Sequence, residues 1–169
     1  MLIGAAVFAR PVVPSTLVAA ILGGLAPDVP MFALVLFSTR LVGIPQHEVF
    51  GDLFYSHSWQ AVFAVDHSFF VWGLLLALGH WRLHLILTAF AGAGFLHAAT
   101  DFVTHHDDAR RQFWPVSDWV FRSPVSYWDP NYYGGIIGVV ELGLVLFATV
   151  FLCWRHQKLW QRVVIVILA

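Results

Sequence analysis

A single cysteine, Cys153, stands in a chain of 169 residues, which excludes an intrachain disulfide and any CxxC metal or redox pair. Charge is almost as scarce. Only 11% of residues are charged and the formal net charge is −1. The nine Lys and Arg are scattered rather than gathered into a stripe, which leaves no electrostatic footprint for nucleic acid. No GxSxG elbow marks a serine nucleophile, and no glycine-rich phosphate loop is present. There is also no internal repeat, low-complexity tract or linker, so residues 1–169 read as one domain. What the chain does have is apolar side chains: 59% of the total, with a mean hydropathy of +0.75. That is too apolar for a soluble surface wrapped around one small core, and it assigns the chain to a bilayer.

The apolar residues fall into four segments, and the expected fold is an all-α, polytopic membrane bundle. The first runs over residues 14–26, meets Pro27-Asp28-Val29-Pro30, and resumes over 31–42. Each proline removes a backbone donor and neither half spans comfortably, so a broken or re-entrant hairpin is expected here. Arg10 is followed by Pro11 and Pro14 and no small-residue cleavage site closes the apolar run, so this segment is expected to be retained. Residues 43–59, with Gln46, His47, Glu48, Asp52 and His57, read as interfacial. The second segment covers 60–78, interrupted by Asp66-His67-Ser68. A short polar turn with His80, Arg82 and His84 makes it an antiparallel hairpin with the third, 83–104. Ala91-Gly92-Ala93-Gly94 and Ala98-Ala99 give that third segment a small-residue face for close helix approach. Residues 106–133, rich in Trp and Tyr, suit an interfacial cap. The fourth segment covers 134–154, where Gly134 and Gly138 offer a face to the third segment and would aim Glu141 at its polar end; a structural hydrogen bond is the alternative for Glu141.

His97, Asp101 and His105 are spaced four and four apart. At about 100° per residue they stay within roughly an 80° arc of one helix face. Imidazole and carboxylate on successive turns are ligand types for zinc or another divalent first-row metal. His106, Asp107 and Asp108 follow directly, so further carboxylates are close by. A carboxylate inside a membrane helix costs roughly 2.5–3.5 kcal/mol on insertion scales, which makes such groups functional candidates. Asp28 either N-caps the helix beginning at Val29-Pro30 or caps it and also serves as a ligand. Asp66-His67-Ser68 either faces the cluster or forms a satisfied polar patch. His57 reads as solvated, and His80, His84 and His156 as interfacial residues on the opposite face.

The hairpin arithmetic places the ends of the second and third segments that carry these groups on one membrane face, with Arg40, Arg110, Arg111 and Arg122. Arg10, Arg82, Arg155, Lys158 and Arg162 fall on the other. Five basic residues against four put the site face outside the cytoplasm by the positive-inside rule.

Gly24-Leu25-Ala26-Pro27-Asp28, Asp66-His67-Ser68, His97-Ala98-Ala99-Thr100-Asp101 and Trp114-Pro115-Val116-Ser117 together resemble the LexA-binding, inner-membrane-associated metal-dependent hydrolases of bacteria. There the corresponding elements read G-x-L-x-P-D, T-H-S, H-x-x-x-D and W-P-x-S; here Asp66 replaces the threonine. The resemblance spans most of the chain through short motifs. It implies that Asp28, His67, His97 and Asp101 carry ligand or catalytic roles and that Trp114-Pro115 places the cap.

The expectation is therefore a metal-dependent hydrolase of the bacterial inner membrane, acting on a phosphoester or lipid-derived substrate. Its divalent cation, zinc first, would be held by Asp28, His67, His97, Asp101 and His105. Asp107 or Asp108 would act as general base or orient the water. The alternatives are a non-enzymatic membrane protein whose polar cluster is structural or anchors a partner, and a proton or ion pathway. A membrane lipid and a small or lipid-derived substrate are the expected partners.

Overall fold

Ala91, Gly92, Ala93, Gly94 and Ala98 carry almost no side chain, and the helix they occupy becomes the centre of the molecule. The computed structural model describes residues 1–169 and contains helices, turns and loops with no β-strand. Helix α1 is Leu2–Phe8 and α2 is Ser15–Leu25. A 3-10 turn, Ala26–Asp28, joins α2 to α3, Val29–Leu36, which continues as a π-helical stretch through Phe37–Val42. The short α4, Gln46–Glu48, leads to α5, His57–Asp66, and α6, Phe69–Trp81. Helix α7 is Leu85–Thr104, α8 is Gly134–Arg155 and α9 is Leu159–Ile167.

Four stretches are long and apolar enough to cross a membrane: Ser15–Val42, His57–Trp81, Leu85–Thr104 and Gly134–Arg155. The protein is an all-α helical bundle of the membrane-embedded kind. Helix α7 packs against α1, α2 and α6 along its small face. At Gly94 a Cβ would fall 2.3 Å from the Trp72 ring of α6, so only glycine admits that indole. The main apolar core joins Leu2, Ala5, Leu17, Ala20, Ala89, Ala93, Leu152 and Ile165 from α1, α2, α7, α8 and α9.

Two sequence expectations change. The first apolar segment is interrupted at the prolines by a 3-10 turn but does not fold back as a hairpin: Leu25, Ala26, Asp28 and Val29 stay in the right-handed helical region, and one 28-residue span passes through the interruption. Pro27 lies in the first turn of the 3-10 element and Pro30 in the first turn of α3, where a missing N–H breaks nothing. Local 3-10 and π geometry absorbs the mismatch, as it does in other spans containing proline. Gly134 and Gly138 do not seat α8 on α7: a Cβ at Gly138 would meet nothing within 4 Å, and α8 is held by α1 and α9. His156, at the C-cap of α8, is fully buried, with neither ring nitrogen hydrogen-bonded.

The cap has no regular structure beyond the 3-10 turn Pro130–Tyr132, yet it is firmly tied to the bundle. Ser68 Oγ donates to Trp114 O at 2.5 Å, and Phe69 N donates to Gln112 O at 2.8 Å. Ser123 and Tyr127 donate their backbone N–H groups to His105 O and Thr104 O, each at 3.0 Å, and the Ser123 hydroxyl takes Val103 O at 2.6 Å. The carbonyls that the end of α7 leaves free are thereby satisfied by the cap itself. Phe69, Phe102, Phe113, Trp119 and Phe121 pack between cap and bundle, mostly edge to face, with Phe102 and Phe121 stacked.

Candidate metal centre

Four side chains from three spans converge: Asp28, His67, His97 and Asp101 each offer a donor atom, all within 4.8 Å of one another. Asp28 sits near the middle of its 28-residue span, and His67 near the middle of the 25-residue span His57–Trp81. His97 and Asp101 lie in the C-terminal half of α7, Asp101 in its last turn. The cluster thus joins the middle of two spans to the end of a third.

Local structure explains each placement. Asp28 occupies the N-cap position of α3, but its carboxylate accepts no cap hydrogen bond and turns inward. His67 falls at the C-cap of α5 in a non-helical conformation, and Ser68 caps α6 by accepting from Phe70 N and Val71 N at 3.1 and 3.2 Å. This break between two helices aims His67 sideways into the bundle, where it is fully buried. Imidazole Nδ1 of His67 lies 2.5 Å from Asp66 Oδ1, which leaves Nε2 facing Asp101 Oδ2 at 3.1 Å and Asp28 Oδ1 at 3.9 Å. On α7, His97 donates from Nδ1 to Gly24 O at 2.8 Å. Its Nε2 then lies 3.3 Å from Asp101 Oδ2 and 3.6 Å from Asp28 Oδ2. Each histidine has one nitrogen fixed by a carboxylate or a carbonyl, the arrangement that orients imidazole ligands.

The donor set fits a divalent cation. Ligands at about 2.1 Å around a tetrahedral ion sit ~3.4 Å from one another; the imidazole–carboxylate separations here run from 3.1 to 3.9 Å, and all four donors lie within 4.8 Å of one another. Both Nε2 atoms are buried and neither has a hydrogen-bond partner. Buried polar atoms are almost always paired, and the near neighbours of these two are the carboxylate oxygens of Asp28 and Asp101, so four donors face one point. The Asp/His/His/Asp group could hold a metal ion.

His105 is not brought into this group. Helix α7 ends at Thr104, and His105 takes an extended conformation, φ −113° and ψ 128°, so the four-residue spacing no longer sets its direction. Its Nε2 meets the other oxygen of Asp101, Oδ1, at 3.5 Å, and its Nδ1 lies 2.9 Å from Asp108 Oδ2. Burial works against the charged imidazole, but the two carboxylates outweigh it and push its pKa up to about 9. His105 therefore bridges Asp101 to Asp108. Asp107 is not at the site: its side chain is 53% exposed, lies 3.7 Å from His106, and lines no cavity. Asp108 does line the cavity above the cluster, with Trp128 Nε1 donating to its Oδ2 at 3.2 Å.

That cavity has a volume near 630 Å³. Asp28, His97 and Asp101 form one side of it, Tyr127 and Trp128 enter from the cap, and Glu141 faces it from α8. Arg110 also lines it, a residue that sequence reading treated only as a topological charge. His57 is exposed, and His84 serves α7 as its N-cap, accepting from Leu87 N at 3.1 Å. No family model matches the chain, and neither does any curated protein or solved structure.

Proposed function

We propose that this protein is a membrane-embedded metal-dependent hydrolase in which Asp28, His67, His97 and Asp101 hold a divalent cation, zinc before others. The observation that carries the reading is the convergence of two orphaned imidazole nitrogens and two carboxylates beside a large cavity. Two imidazoles with two carboxylates suit zinc and its first-row neighbours. The short motifs shared with the LexA-binding, inner-membrane-associated hydrolases support the same assignment, and with it a bacterial inner membrane; the count of basic residues supports a site face outside the cytoplasm. The substrate class is a phosphoester or lipid-derived molecule, because the cavity lies within the apolar spans.

A divalent cation at such a set supplies Lewis acidity and makes water acidic near neutral pH. The chain's own residues do the rest. Asp66 and the Gly24 carbonyl hold the two histidines in one tautomer each. His105 fixes Asp101 from behind and ties it to Asp108 at the cavity wall. Tyr127 and Trp128 narrow the cavity from the cap side.

A second reading, a structural cluster in a non-enzymatic protein, is favoured by one observation. The single carboxylate of Asp101 meets His67, His97 and His105 at 3.1, 3.3 and 3.5 Å and so ties two spans and the cap together. Metal analysis separates the two. Protein purified in detergent without chelator is expected to carry about one equivalent of divalent metal and to turn over generic phosphoesters, and the His97→Ala and Asp101→Ala variants to do neither. Absence of stoichiometric metal under every supplied divalent ion overturns the proposal; bound metal without turnover of generic phosphoesters favours a structural site.

Asp66→Asn tests the orienting carboxylate separately. It is expected to weaken metal binding by about 10–100-fold in competition with a chromogenic chelator. Asp107→Asn should leave the affinity unchanged.

A further inference from the structure

Arg110 is a permanent cation with no anion. Its residue is 3% exposed, yet no carboxylate lies within ion-pair distance of it. Nε and Nη1 have no hydrogen-bond partner, and Nη2 reaches only the sulfur of Met31, at 3.9 Å. The rings of Phe54 and Phe63 lie 4.8 and 4.5 Å from the guanidinium carbon. Such cation–π contacts engage the faces of the group and leave its in-plane N–H donors free. The nearby Asp108 is committed elsewhere, to His105 at 2.9 Å and Trp128 at 3.2 Å.

A guanidinium cannot shed its proton to escape burial, so it needs a counter-ion. The space in front of Arg110 is the 630 Å³ cavity whose other polar side is Asp28, His97 and Asp101. Asp108, His105, Glu141 and two threonines also reach the cavity, and the rest of its lining is apolar. It includes Phe32 of α3 and Val140 and Leu144 of α8, which are also exposed on the outer surface of their spans. One cavity therefore combines a fork of unpaired cationic donors, a cluster able to take a cation, and an apolar side continuous with the lipid-facing surface.

We infer that Arg110 is the anion receptor of this cavity and that the ligand is an amphiphile bearing a phosphate group. The phosphate lies between Arg110 and the Asp28–His97–Asp101 rim, and the apolar part runs along Phe32, Val140 and Leu144. A phosphate has enough free oxygens to serve a guanidinium fork and a cation at once. The proposal rests on the metal reading for the second of those contacts; the need of Arg110 for an anion follows from its own burial.

The test uses the full-length protein in neutral detergent, with native mass spectrometry and thermal shift as readouts. The probes are dioctanoyl phosphatidate, dioctanoylglycerol with the same tails and no phosphate, and inorganic phosphate, each with added zinc and with chelator. Phosphatidate is expected to bind one to one and about tenfold or more tighter than dioctanoylglycerol. Arg110→Gln should remove that advantage and leave dioctanoylglycerol binding as it was. Arg110→Lys, which keeps the charge but loses the fork, should retain part of it. Should Arg110→Gln fail to fold, Val140→Trp gives an independent check: it fills the apolar arm, and should weaken phosphatidate while sparing inorganic phosphate.

Equal binding of phosphatidate and dioctanoylglycerol, or full binding by a folded Arg110→Gln, overturns the proposal. Inorganic phosphate binding as tightly as phosphatidate overturns its lipid half and makes free phosphate the ligand. An Arg110-dependent preference that persists in chelator supports the receptor even where metal analysis has failed, so the two readings fall separately.

Discussion

Asp101→Asn is expected to strip the protein of metal, lowering affinity by more than about 100-fold, and to abolish any phosphoesterase turnover with it. The size of the effect follows from the number of groups that one carboxylate serves. Oδ2 of Asp101 faces both orphaned imidazoles, at 3.1 and 3.3 Å, and Oδ1 faces His105 at 3.5 Å. An asparagine keeps the shape but presents one weak acceptor and one NH₂ donor. Whichever way the amide turns, it either offers hydrogens to the two Nε2 atoms or loses the acceptor that faces His105. Removing one partner from a buried ionic group costs about 3–5 kcal/mol, so a lowered melting temperature is expected as well. Metal content by mass spectrometry and thermal unfolding in the same detergent measure both effects. His105→Asn is the informative comparison: it should lower the melting temperature yet leave metal stoichiometry near the wild-type value, because His105 stands outside the four converging donors. Loss of metal in His105→Asn, with retention in Asp101→Asn, would reverse the assignment of ligand and supporting residue.

How far the site could be read from the sequence depends on where each residue sits relative to a regular helix. His97 and Asp101 lie within α7, so the four-residue spacing placed them on one face and α7 keeps them there. The same rule failed for His105 because the helix ends one residue earlier and the backbone turns extended. Asp28 was visible as a carboxylate among prolines, but the prolines suggested a break. They lie in first turns, where the absent N–H costs nothing, and the span continues. His67 had only the irregular Asp66-His67-Ser68 interruption to mark it, and the α5–α6 break that aims it inward is a tertiary feature held by the cap through Ser68 and Trp114. Arg110 carried no local signal. Its significance comes from what is missing around it, and a sequence does not record the absence of a neighbour in space.

The small-residue face of α7 was legible, but not that it receives helices on more than one side, and the second large effect is expected there. At Gly23 of α2 an added Cβ would fall 2.0 Å from the backbone oxygen of Phe90 and 2.8 Å from its Cα. No side-chain rotation relieves a clash with backbone, so Gly23→Ala must push α2 away from α7. Overpacking of this kind costs about 1–3 kcal/mol and sometimes more. The site is tied to the same contact. The next residue, Gly24, supplies the carbonyl that holds His97 at 2.8 Å, and Asp28 follows about one turn later. A displacement of α2 therefore releases the His97 tautomer and withdraws the Asp28 carboxylate together. Gly23→Ala is expected to melt well below the wild type and to lose metal although no ligand has been changed. Gly138→Ala sets the scale: its Cβ meets nothing within 4 Å, so it should be neutral or gain up to about 1 kcal/mol from helix propensity. Thermal unfolding and metal content of the two variants, side by side, test whether the glycine contact between α2 and α7 is what brings Asp28 to His97. A Gly23→Ala protein with wild-type melting and full metal would show that it is not.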